Sequence, residues 1–179
     1  LPGSLYLYQG EELGLPEVLD IPAARREDPL FIRTEGRELG RDGCRVPLPW
    51  AADPTSSFGF SGGVSPAGPW LPQPDDWGRH AADAQAADPS STLSLYRSLM
   101  AARRSLDPAV GLDWELADHD SLVVFRRGSL VVALNVASVA TPLPPTLVAG
   151  ATVEFSSVRG HSDPTTVPAD ACLWLRLAH

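Results

Sequence analysis

Apolar and polar positions change rhythm twice along this chain of 179 residues. A short apolar run at 5–8 follows Pro2-Gly3 and stops at Gly10, the pattern of a buried strand. From 11 to about 88 no period holds. Asp28-Pro29, Gly36, Gly40, Pro47, Pro49, Gly62-Gly63, Gly68-Pro69, Pro72 and Pro74 interrupt the segment so often that only short helices fit between them. An irregular stretch of that length inside a compact domain is often functional, so it reads as the face of an active site rather than a linker.

A helical period begins at Asp88-Pro89-Ser90-Ser91, where Asp or Ser can cap free N–H groups and Pro suits the first turn. Leu95, Tyr96, Leu99, Ala102 and Leu106 fall on one stripe, with Arg97 and Arg104 on the other side, and Asp107-Pro108 stops the helix. Beyond it the period drops to two. Segments 114–116, 121–127, 129–136, 153–156 and 172–177 are predicted strands, with Arg127-Gly128 as a tight hairpin turn. In the last of them Leu173, Leu175 and Leu177 share one face while Cys172, Trp174 and Arg176 share the other. Short strands at regular spacing predict an antiparallel β-sandwich. The expected domains are therefore 1–108 and 109–179.

Composition narrows the function classes. All 14 basic residues are arginine, yet the net charge is −8 and no basic stripe is present, so nucleic acid is not an expected partner. The longest apolar run, 130–136, falls far short of the roughly 20 residues of a bilayer span, so no membrane partner is expected. A neutral ligand such as a sugar suits this balance. Cys44 and Cys172 stand far apart, which predicts two free thiols in a reducing cytoplasm. His80, His119, His161 and His179 lack ligand spacing, so neither a metal nor a cofactor is expected. Met100 is the only methionine and Leu1 opens the chain, as expected of a truncated end.

Two constellations could carry chemistry. Tyr8-Gln9-Gly10-Glu11-Glu12-Leu13-Gly14 follows the first predicted strand. Neighbouring carboxylates on an extended segment point to opposite sides and cannot flank one glycosidic bond, so Glu11 and Glu12 read as acceptors for loop N–H groups rather than an acid/base pair. The second is Gly40-Arg41-Asp42-Gly43-Cys44-Arg45-Val46-Pro47-Leu48-Pro49-Trp50, a rigid polar loop in which Arg45 is flanked by apolar residues. Its guanidinium could staple the loop or grip hydroxyls and carboxylates. Trp70 and Trp77 could stack on sugar rings or close over a core. Gly62-Gly63 has no lysine after it for a phosphate loop, and Ser61-Gly62-Gly63 is no nucleophile elbow.

Taken in order, these blocks resemble the end of the α-glucosidase and isomaltase-like branch of the α-amylase clan. Tyr6-Leu7-Tyr8-Gln9-Gly10-Glu11-Glu12-Leu13-Gly14 resembles that family's eighth barrel strand and the loop it enters. Arg45-Val46-Pro47-Leu48-Pro49-Trp50 is similar to the motif usually written RTPMQW, with Val46, Leu48 and Pro49 departing from it. Gly59-Phe60, Pro69-Trp70-Leu71-Pro72, the stretch from Ala87 to Arg97, and 131–136 with Asn135 resemble further blocks in register. The resemblance implies an α/β plus all-β fold: the last strand, long loops and last helix of a (β/α)8 barrel, then a C-terminal β-sandwich.

The activity it implies is retaining hydrolysis of terminal α-linked glucose from maltose-type oligosaccharides or disaccharides. Arg45 would then be a substrate-binding residue paired with an upstream aspartate. The catalytic carboxylates would lie before Leu1, leaving no catalytic residue in this chain, and the upstream part of the barrel becomes an expected partner. The alternatives are a glucosyl-transferring relative, such as a trehalose synthase or sucrose isomerase, and a non-catalytic carbohydrate-binding module.

Overall fold

The computed structural model describes residues 1–61 and 68–178. The Gly62-Gly63 pair and His179 lie outside the described residues. The chain divides into two compact units, Tyr6–Arg97 and a second made of Leu1–Leu5 with Ser98–His179.

The Tyr6–Arg97 unit is built from turns and short helices, and none of its described residues is in a strand. Single 3-10 turns lie at Glu11–Leu13, Ala23–Arg25 and Asp42–Cys44, with a longer one at Asp75–His80. Helix α1 is Pro29–Arg33 and α2 is Ala82–Ala86. Asp28 caps α1 by accepting from the Leu30 N–H at 2.8 Å, and Pro29 occupies the first turn, where its missing N–H costs nothing. The apolar centre is Val18, Ile21, Val46, Phe58 and Trp77, with Leu15 and Leu71 at its margin.

The strand expected at 5–8 is absent. Leu5, Leu7 and Tyr8 are exposed and Tyr6 is 88% exposed, so both sides of the segment face solvent rather than being buried. A barrel strand is held by ladder partners on each edge and by cover on each face. Within the described residues this segment has no strand beside it, and no parallel βα unit forms.

Helix α3, Thr92–Ser105, starts four residues after the Asp88 signal and stops two before Asp107. Ser91 caps it, its hydroxyl accepting from the Ser94 N–H at 3.1 Å and donating to the Gln85 carbonyl at 2.7 Å. Only Leu93 is buried; Leu95, Tyr96, Leu99 and Ala102 are half-buried. The division between the units falls within this helix, after Arg97.

The second unit holds all the strands of the described residues: β1 Asp113–Leu116, β2 Leu122–Arg127, β3 Leu130–Asn135, β4 Thr141–Pro142, β5 Thr152–Ser156, β6 Thr166–Val167 and β7 Ala171–Arg176, with the helical turn α4 at Pro145–Val148. Five of them form an antiparallel sheet in the order β1-β2-β3-β7-β5. The hairpin between β2 and β3 turns on Gly128-Ser129, one residue later than expected, because Arg127 pairs with Leu130. Gly128 supplies the positive φ of 60° that a two-residue hairpin needs at its first central position.

One face of the sheet carries Leu122, Val124, Val131, Ala133, Leu173 and Leu175, and it packs against Leu143, Val148 and Val167. Those three come from just after β4, from α4 and from β6. The second layer is therefore a short β4-β6 ribbon with one helical turn, thinner than the expected sandwich. Pro142, Pro144, Pro145 and Pro168 lack N–H donors and cut the pairing short. The other face carries two edge-to-face aromatic pairs: Trp114–Phe125 with centroids 5.8 Å apart, and Phe155–Trp174 at 5.7 Å.

Asn135 ties the layers together. It is fully buried, and its Nδ2 donates to the carbonyls of Val139 (2.8 Å), Val167 (3.1 Å) and Pro168 (2.9 Å). Its Oδ1 accepts from the Ala137 N–H at 3.0 Å. No helix of the structure is long and apolar enough to cross a membrane, among the described residues.

Candidate functional site

The loop that carries Arg45 is organised by two buried carboxylates. Asp42 accepts from the backbone N–H groups of Glu27 and Asp28, each at 2.9 Å. Asp28 accepts from the N–H groups of Leu30 (2.8 Å) and Arg41 (3.0 Å). The Arg45 guanidinium spans both: its Nη1 donates to Asp28 Oδ2 at 3.0 Å and to Asp42 Oδ1 at 3.4 Å. The Leu30 and Arg41 N–H groups, with Arg45 beside them, hold the Asp28 carboxyl below the usual carboxylate range. Gly40 lets the backbone pass against this centre, at a φ of 67°; a Cβ there would overlap the Asp28 carboxyl.

A second arginine closes the loop from inside. Arg26 is buried, donating to the carbonyls of Ile21 (3.1 Å), Leu39 (3.2 Å) and Leu19 (2.7 Å) while lying over the Phe31 ring. All its hydrogen-bond partners are carbonyls, so it acts as a staple. Arg45 differs. About 38% of its side chain is open to solvent, and among the described residues only Nη1 is engaged. Nε and Nη2 remain free to meet a ligand, with the fork already aimed by two carboxylates.

The Glu11–Glu12 pair lies on a 3-10 turn rather than an extended segment. Glu12 accepts from the Gly10 N–H at 3.0 Å, a loop contact. Burial, then the nearby Glu11 and Glu12 charges, push the Tyr96 hydroxyl upward. Gln85 anchors this turn to the start of α3, donating to the Leu13 carbonyl at 2.8 Å and accepting from the Leu93 N–H at 3.0 Å. Trp77 is only 2% exposed and sits in the core, so it is unavailable for stacking on a sugar. Trp70 is exposed, but Arg25 lies over one face of its ring and exchanges hydrogen bonds with it at 3.0 Å.

Among the described residues no group of three or more His, Cys, Asp or Glu side chains is placed to hold a metal ion. Both thiols are free, and burial pushes that of Cys172 up to about 11. The sequence pattern singled out Arg45 but not Asp28 or Asp42 as its partners. Asp28-Pro29 does signal a helix cap, whereas nothing in the spacing reveals Asp42 as the acceptor for 27–28.

Residues 1–110 match the α-amylase catalytic domain, and the chain belongs to that family. It is 37% identical over 131 residues to a probable α-glucosidase of Rhizobium meliloti, covering 73% of this chain and 21% of that protein. It is 29% identical over 148 residues to a trehalose-6-phosphate hydrolase of Bacillus subtilis, covering 72% and 25%. A crystal structure of an α-glucosyl transfer enzyme superposes with a TM-score of 0.69 at 28% identity, covering 96% of this chain and 32% of that one. The chain thus spans about a fifth to a quarter of the length of these curated relatives.

Proposed function

We propose that this chain is the closing part of a retaining α-glucosidase that removes terminal α-linked glucose from maltose-type oligosaccharides or disaccharides. On this reading 1–108 completes the catalytic barrel, 109–179 is the C-terminal sandwich, and the rest of the barrel is its partner. The observation that carries it is Arg45: a guanidinium fixed by Asp28 and Asp42 with its remaining donors turned to solvent. Neutral sugar hydroxyls accept from such a fork, and a fork held in place loses little freedom when they do.

The reacting carboxylates come from outside the chain. A retaining enzyme needs a carboxyl kept protonated as the acid, beside a carboxylate nucleophile roughly 5 Å away. Asp28, Asp53 and Asp163 are all held below the ordinary range by N–H or hydroxyl donors, which suits anchors rather than acids. The chain's own contribution is to bind and orient the sugar.

The test uses a chimera in which this chain replaces the matching segment of the Rhizobium meliloti relative. Maltose hydrolysis followed by proton NMR before mutarotation is expected to release α-glucose from the non-reducing end, in excess of the anomeric mixture set free from the reducing end, as retention demands. An excess of β-glucose over that mixture would rule out the retaining mechanism. A product heavier than maltose, or an isomer of it, as the main outcome would assign glucosyl transfer instead.

A further inference from the structure

Beside Arg45 lies an open recess of about 410 Å³ lined by Asp28, Pro29, Leu30, Arg33, Gly40, Arg41 and Arg45. Three of its seven lining residues are arginines, in a chain whose net charge is −8. Its one carboxylate is spent, since Asp28 already accepts from Leu30, Arg41 and Arg45. The next nearest anchor, Asp42, is likewise occupied by Glu27, Asp28 and Arg45.

The arginines are not spent. Among the described residues the Arg41 side chain makes no hydrogen bond, and Arg33 uses only Nε, donating to the Pro29 carbonyl at 3.3 Å. Arg45 uses only Nη1. The recess therefore offers more charged donors than the protein has acceptors for. Its backbone is pinned, because the Arg41 N–H is held by Asp28 and Gly40 admits no side chain against that carboxyl.

We propose that this recess is a binding site for a phosphate group, either free or carried by a sugar. A phosphate offers three oxygens and close to two negative charges, which three guanidinium forks can share through paired, charge-assisted hydrogen bonds. A carboxylate, with two oxygens and one charge, meets fewer of them. Pro29 and Leu30 form the apolar part of the lining, against which the carbon side of a sugar ring can rest. This deepens the glucosidase reading by sharing Arg45, while Arg33 and Arg41 belong to the recess alone.

The test titrates the chain with inorganic phosphate, glucose 6-phosphate and glucose while following the arginine Nε–Hε signals by NMR. Both phosphates are expected to saturate and to move the Arg33, Arg41 and Arg45 signals; glucose at equal concentration is expected to leave Arg33 and Arg41 still. A glucose 6-phosphate affinity above that of inorganic phosphate assigns a sugar-borne ligand, and equal affinities assign the free ion. R33A and R41A are expected to weaken binding at least tenfold each. R33K and R41K keep the charge but lose the fork, and are expected to recover only part of it. Absence of saturation, or affinity untouched by R33A and R41A in variants whose backbone spectra match the parent, overturns the site. That failure is separate from failure of the glucosidase reading, which is scored on a neutral substrate.

Discussion

Asn135→Asp is expected to destabilise the sheet-bearing unit by about 3–5 kcal/mol at neutral pH, the scale of an uncompensated buried charge. The substitution changes one atom's chemistry and almost no volume. The Asn135 amide nitrogen faces the carbonyl oxygens of Val139, Val167 and Pro168. A carboxylate oxygen in its place would meet three acceptors with no proton to give. Only the protonated acid can donate there, so the folded-state pKa rises above the unfolded value of about 3.9.

The sign follows from proton binding. Above the unfolded pKa and below the raised folded pKa, the folded state holds a proton that the unfolded state has released. Stability is thus fully present below about pH 4 and is lost as the pH rises through that window. Urea unfolding at pH 7 and at pH 4.5, with the parent chain alongside, should show a deficit that shrinks on acidification. Asn135→Ala orphans the same carbonyls without a titrating group, and its deficit of about 1–3 kcal/mol should not depend on pH. Equal deficits for Asn135→Asp at both pH values would mean that the side chain does not face those carbonyls.

Arg45→Ala in the chimera is expected to lower kcat/KM on maltose by about tenfold to a hundredfold. Hydrogen bonds to a charged group contribute about 1.5–3 kcal/mol, and about 1.4 kcal/mol is a factor of ten in rate. The loop should outlast the change. Asp28 keeps the Leu30 and Arg41 N–H groups, and Asp42 keeps those of Glu27 and Asp28. Melting temperature should therefore move little while catalysis falls, and Arg45→Lys should restore only a minor part because a single ammonium cannot reproduce the fork. A large fall in melting temperature with kcat/KM preserved would make Arg45 a loop staple.

The sheet was more legible in the sequence than the loops. In β7 the alternation of buried Leu173 and Leu175 with half-buried Cys172, Trp174 and Arg176 follows the sequence, because a strand's period is a property of neighbours in sequence. Leu177, expected on the same face as the two leucines, lies past the strand's end and is half-buried. The two-residue strands at Thr141–Pro142 and Thr166–Val167 left no such period and were not expected. Residues 5–8 show the opposite failure. Their apolar run carries a strand signal, but a strand forms only with partners beside it, and the described residues provide none.

The site was legible in part. Arg45 stands out because a guanidinium among Cys44, Val46 and Pro47 needs a partner. Its partners sit 17 and 3 residues away, brought together by a cap at Asp28 and a turn at Asp42, and such pairing belongs to tertiary geometry. Trp77 carried two readings, stacking on a sugar or closing over a core, and Val18, Ile21, Val46 and Phe58 enclose it as the second had it.

On the reading proposed above, this chain supplies the sugar-binding end of an α-glucosidase and other segments supply the reacting carboxylates. Release of p-nitrophenol from p-nitrophenyl α-glucoside, measured side by side for the chain alone and for the chimera, tests it most directly. The chain alone is expected to match buffer and the chimera to turn over at an enzymic rate. Turnover by the chain alone, or an inert chimera that folds as well as the parent relative, would contradict it.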